Sequence, residues 1–89
     1  MIKGTTKSGF AYSVDPEVVR DMEFVELAAA ARKDGLLLPE IITMVLGDKQ
    51  KKKMYDHIKK EHKRVLVDYV NDEFTEILES INTNDKTKN

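Results

Sequence analysis

At 89 residues, with 40% hydrophobic and 35% charged residues and a formal net charge of −1, the chain has room for one small domain. A domain of this size buries only about 60–65% of its unfolded surface, so its core is thin. The absence of cysteine excludes a disulfide framework and a thiolate metal centre and fits a cytosolic setting.

Residues 2–14 read as a β-hairpin. Thr5-Thr6 and the alternating Phe10, Tyr12 and Val14 favour extended chain, and Lys7-Ser8-Gly9 supplies a turn. A lone hairpin is marginal in water, so its apolar face is expected to lie on the helices. Lys3 and Lys7 precede no apolar segment of the kind a secretion signal needs, so none is expected.

Asp15-Pro16-Glu17 then marks a helix start, with a capping carboxylate, proline in the first turn and an acid beside it. Val18, Met22, Val25 and Ala29 fall on one stripe, widened by Val19, Phe24 and Leu27, until Asp34-Gly35 ends the element. This band is wide enough to be covered from more than one side. A thin domain does not supply that much cover, and the surplus points to self-association or a partner helix.

The stretch 36–58 organises the rest. Leu37, Leu38, Ile41, Ile42, Val45 and Leu46 recur at helical spacings, Gly47 suits a stop at positive φ, and Asp48 caps the next start. A basic helix over 48–61 follows, exposing Lys49, Lys51, Lys52 and Lys53 and turning Met54, Tyr55 and Ile58 inward. No apolar run here approaches the ~20 residues of a membrane span. Val67, Val70, Phe74, Ile77, Leu78 and Ile81 trace the cleanest amphipathic helix of the chain. The tail 82–89 has no apolar residue and is expected to be disordered. The fold class is therefore mainly α: one domain over 1–81, of about four helices with an N-terminal hairpin.

Charge is segregated. Residues 48–64 hold eight Lys or Arg against Asp48, Asp56 and Glu61, a net +5; residues 65–81 hold five acids and no base, a net −5. Such blocks are chiefly solvated faces of neighbouring helices that attract each other mildly.

No catalytic, cofactor or metal site is expected. The chain has no cysteine nucleophile, Gly-rich phosphate loop or nucleophile elbow. His57 and His62, five apart, fall on different sides of a helix rather than converging on a metal. The acids Asp72, Glu73, Glu76 and Glu79 read as a solvated face. A short helix, a tight corner and a basic helix over 48–64 imitate a helix-turn-helix, so a small DNA-binding regulator is an alternative. Only Gln50 stands among the lysines as a base-reading side chain, which disfavours nucleic acid as a partner.

A further set of residues resembles a known family. Ser8-Gly9-Phe10, Asp15, Asp21-Met22-Glu23, Glu26-Leu27, Leu38-Pro39, the run Leu46-Gly47-Asp48-Lys49-Gln50-Lys51 with Tyr55-Asp56-His57, and Val65, Val67, Val70, Glu73 and Glu76-Ile77-Leu78-Glu79 are similar to tail assembly chaperones of siphophages and prophages of Gram-positive bacteria. The similarity spans residues 5–81. Where the family pattern carries a Gly-Arg-Val-Pro-like turn, this chain reads Lys63-Arg64-Val65-Leu66. The resemblance implies a homo-oligomeric, non-enzymatic protein of the bacterial host cytoplasm, absent from the mature virion. It would bind the tape measure protein, with tail tube protein as a second partner, and need neither cofactor nor membrane. A structural component retained in the virion is the remaining alternative. Candidate contact residues are Val18, Met22 and Val25 on the broad helix, and Lys52, Lys53, Lys59, Lys60 and Lys63 on the basic face.

Overall fold

The first fourteen residues fold back on themselves as a two-stranded antiparallel sheet. The structure, a computed structural model, describes the backbone of residues 1–87 and the side chains of residues 1–81. Strand β1 (Ile2–Thr5) pairs antiparallel with β2 (Ala11–Val14), Ile2 opposite Val14 and Gly4 opposite Tyr12. In the turn the Gly9 N–H donates to the Thr6 carbonyl and the Thr6 N–H to the Phe10 carbonyl, both at 2.9 Å. Gly9 holds φ +102°, a region open to glycine at little cost. Phe10, Tyr12 and Val14 are buried, as their alternation predicts. Gly4 is required by its neighbour: a Cβ there would come within 2.5 Å of the Tyr12 hydroxyl.

The helix expected from Asp15 onward is interrupted. Pro16–Arg20 form a 3-10 turn, and Asp21, extended at φ −72° and ψ 130°, starts a new helix α1 (Met22–Lys33). Asp15 and Asp21 each cap by accepting from the N–H two residues on, at 3.0 and 2.8 Å. The break resets which side faces inward. Phe24 is buried, with Leu27, Ala28 and Ala31 packed beside it, the i, i+3, i+4, i+7 spacing of one helix face. Of the wide band read across residues 18–29, Phe24 is buried and Val18, Val19 and Leu27 are half-buried, whereas Met22 is 66% exposed and Val25 45%.

After a 3-10 turn at Gly35–Leu37, α2 (Leu38–His62) carries both segments expected as separate helices. Gly47, at φ 81° and ψ 164°, breaks the helical path inside it. The corner is thus present as a kink, and the described chain has three α-helices rather than about four. Gln50 staples the kink to the hairpin: its Oε1 accepts from the Ser13 N–H, and its Nε2 donates to the carbonyls of Ser13 and Leu46. The Leu46 carbonyl, next to the break, thereby gains a partner.

Lys63 ends α2 at φ +70°, a left-handed conformation that β-carbons oppose. Replacing it by glycine removes that opposition and costs some backbone freedom in exchange. Lys63→Gly is expected to stabilise the fold by about 0.5–1 kcal/mol, raising Tm by a few degrees. Thermal unfolding followed by circular dichroism checks this, and a lower Tm would contradict it.

The last helix, α3 (Val67–Thr87), buries Val70, Phe74, Ile77 and Ile81, four members of the expected stripe. Its first member, Val67, is 70% exposed. The backbone stays helical past Ile81 to Thr87, with no Gly or Pro to stop it. The side chains of the predicted tail, and residues 88 and 89, lie outside the described residues.

One core joins these elements. Ile41, Ile42, Val45 and Leu46 enter it before the kink, Met54 and Ile58 after it, and the hairpin, α1 and α3 close it. The shortest extent of the molecule is 19 Å, about two helix diameters at ~10 Å each. With so little depth, every helix keeps an outward face. Among the described residues no helix is long and apolar enough to cross a membrane.

Candidate functional site

Apolar side chains at the surface define two regions. The first lies at the start of α1. Val18, half-buried, lines a groove of about 620 Å³ with Met44 and Val45, edged by Asp15, Glu17, Arg20 and Asp21. Met22 and Val25 stand exposed on the helix that follows. Residues 15–26 carry five acids against the single Arg20, so this region is acidic.

A second region has the opposite charge. Leu36 is 86% exposed and, with Leu38, Tyr55, Val65, Val67 and Val70, lines a cleft of about 320 Å³. That volume is at the small end of pockets that hold a ligand or side chains, roughly 300–1,000 Å³. Next to it a groove is lined by Lys59, Lys63, Arg64 and Leu66, with Val65 shared between the two. Residues 59–64 carry four cations against Glu61. Burial pushes the Tyr55 phenol above the ordinary tyrosine value.

The predicted contact residues divide between these regions. Val18, Met22 and Val25 belong to the acidic one. Lys59 and Lys63 line the basic groove. Lys52, Lys53 and Lys60 are exposed elsewhere on α2, Lys52 in a 3.6 Å pair with Asp56 that is worth little in water. The apolar and basic residues do not share a groove.

The cleft itself escaped the sequence reading. Periodicity places Leu38, Tyr55, Val67 and Val70 inward and Leu36 and Val65 on no stripe, and it does not reveal that a thin fold leaves Val67 outside. A signal was present in Val65-Leu66-Val67, too apolar for a connection between two helices.

A polar cluster was also missed. The hydroxyls of Thr6 and Ser8 donate to Glu73 Oε1 at 2.8 and 3.0 Å, and the Lys7 N–H donates to Glu76 Oε2 at 2.8 Å. His57 Nε2 lies 3.0 Å from Ser8 Oγ. Glu73 and Glu76 are therefore half-buried anchors for the hairpin turn rather than parts of a solvated face. The grouping of Ser, His and Glu differs from a nucleophilic relay in two ways. The Ser8 proton goes to Glu73, and Glu61 approaches the same His57 Nε2, at 3.8 Å, rather than the far ring nitrogen. Its effect is to tie the turn to α2 and α3. His62 instead stacks on Tyr69, ring centroids 3.8 Å apart. Among the described residues no group of three or more His, Asp or Glu is placed to hold a metal ion.

Gln50, the one base-reading candidate, has its amide committed to Ser13 and Leu46 inside the fold. Comparison of the chain with protein-family models, with curated proteins and with solved structures finds no match.

Proposed function

We propose that the chain is a non-enzymatic protein that covers apolar helical surface on another chain. More particularly, it acts as a phage tail assembly chaperone, keeping the tape measure protein in solution while the tail tube forms. The observation that carries this reading is the exposure of Met22, Val25, Leu36, Leu66 and Val67 on so small a domain. Apolar residues grouped in this way mark interaction surfaces. A long helical partner offers matching stripes, and several copies bound along it gain from one another. Each contact is small, which lets the coat come off before the particle is complete.

The resemblance over residues 5–81 supplies the identity of the partner. Lys63 lends it support: it holds φ +70°, a glycine-like conformation, at the position where the family's turn begins with glycine. The host cytoplasm is the place of action in this reading. Co-expression tests it. The tape measure protein of the same genome is expected to gain several-fold in soluble yield when this chain is present, and an unchanged yield overturns the proposal.

A further inference from the structure

The cleft at Leu36, Tyr55 and Val67 and the groove at Lys59, Lys63 and Arg64 adjoin at Val65, which lines both. Of the described residues that line the cleft none is charged; of those that line the groove three are cations and none is an acid. Two more cations, Arg32 and Lys33, close α1 just before Gly35, itself part of the cleft wall. The acids close in sequence line neither hollow. Asp34 accepts the Leu36 N–H it caps, Asp56 pairs with Lys52, and Glu61 lies against His57 and His62. Glu40 and Asp68 are exposed. An apolar hollow therefore runs into a cationic one.

We propose that cleft and groove together hold one amphipathic helix of another protein, with apolar side chains a turn apart in the cleft and acidic residues next in the chain over the groove. At about 320 Å³ the cleft takes a few anchoring side chains rather than a whole molecule. Its walls are helical segments and a connection, which offer no strand edge to an extended backbone. The occupant satisfies its own backbone hydrogen bonds, as a helix does, and lays its i, i+3, i+4, i+7 stripe inward. Acids over Lys59, Lys63 and Arg64 fix the direction of docking, and a basic segment of the same apolar pattern is turned away. An anionic lipid surface would meet the same cations but leave the cleft unfilled. That another chain is covered at all rests on the function proposed above; the surface used and the charge of the segment it takes are new.

Fluorescence anisotropy on the purified full chain tests this with a labelled peptide of about 16 residues, long enough to hold a helix. Its first half carries leucine at i, i+3, i+4 and i+7, and its second half carries glutamate. Saturable binding is expected, weaker in high salt. Exchanging the glutamates for lysine, or the leucines for serine, should each cost at least about tenfold in affinity. Leu36→Asp/Val67→Asp should also lose more than about tenfold, because a charge would be buried under the leucines. Lys59→Glu/Lys63→Glu should weaken the glutamate peptide by a similar factor and favour the lysine peptide. Lys49→Glu/Lys53→Glu makes the same change in net charge outside the groove and should stay within about twofold of the wild type. All six positions are exposed, so circular dichroism should report an unchanged fold. A wild type that binds neither peptide, or both equally, overturns the proposal. Equal weakening by the two lysine-pair variants overturns it too, since only bulk charge would then be at work. Capture by phosphatidylglycerol vesicles in place of the peptide assigns the surface to a membrane, and anisotropy that falls again at high chain concentration assigns the cleft to a second copy. Either result overturns the proposal. The peptide contains nothing of the tape measure protein, so its failure to bind is distinct from a failure to solubilise that protein.

Discussion

Replacing Gly47 by alanine is expected to destabilise the domain by about 1–3 kcal/mol, the cost of holding a residue with a β-carbon in a backbone region that is essentially glycine's alone. At φ 81° and ψ 164° the peptide passes through that region in the middle of α2. No atom lies within 4 Å of a Cβ built there, so the penalty comes from the backbone and not from a clash. Relief by straightening is also closed off. A continuous 25-residue helix would run about 37 Å and carry Met54 and Ile58 out of the core they now fill. The loss corresponds to a fall in Tm of about 4–8 °C per kcal/mol for a domain of this length, read by thermal unfolding. D-alanine, introduced by chemical synthesis, accepts positive φ and should be tolerated. An L-alanine variant as stable as the wild type would contradict the assignment of the kink.

Ile77→Ala should do more damage. Ile77 is fully buried on α3, in the core cluster that α3 shares with the hairpin and α2. Truncation of a buried isoleucine costs about 2–5 kcal/mol, through lost transfer energy and the cavity left behind. For 89 residues the whole stability is about 4–13 kcal/mol, so this one change removes a large part of it. Val67→Ala, ten residues earlier on the same predicted stripe, is expected to shift stability by no more than about 0.5 kcal/mol because its side chain is mostly in water. Urea unfolding of the two variants measures the contrast. Equal losses would mean that Val67 is covered in solution.

How much of this was legible in the sequence depends on how local the deciding interaction is. The hairpin was readable because Phe10, Tyr12 and Val14 alternate and Gly9 marks the turn, all within a few residues. The α3 stripe was readable from its period alone, and Gly47 from its conformational freedom. The face of α1 was not. Two stripes competed there, and the choice fell to Asp21, whose side chain caps a new helix and so turns Phe24 inward and Met22 outward. Periodicity cannot weigh a cap against a continuation. The hairpin latch joins Thr6, Ser8 and Glu73 across more than sixty residues of sequence, beyond the reach of any local pattern. Of the candidate contact residues, Met22 and Val25 were placed at the surface for a sound reason, a surplus of apolar faces over available cover. The same reason applies to Val67, but its spacing assigns it to the core, and Leu36 falls on no predicted stripe.

On the function proposed above, the protein brings apolar helical surface against another chain. Isothermal titration of the purified chain into its tape measure protein, at several temperatures, tests this most directly. Several copies are expected to bind per partner with a negative heat-capacity change, the mark of apolar burial, and Leu36→Asp/Val67→Asp is expected to reduce the binding. Binding with no heat-capacity change, or no binding at all, would contradict it.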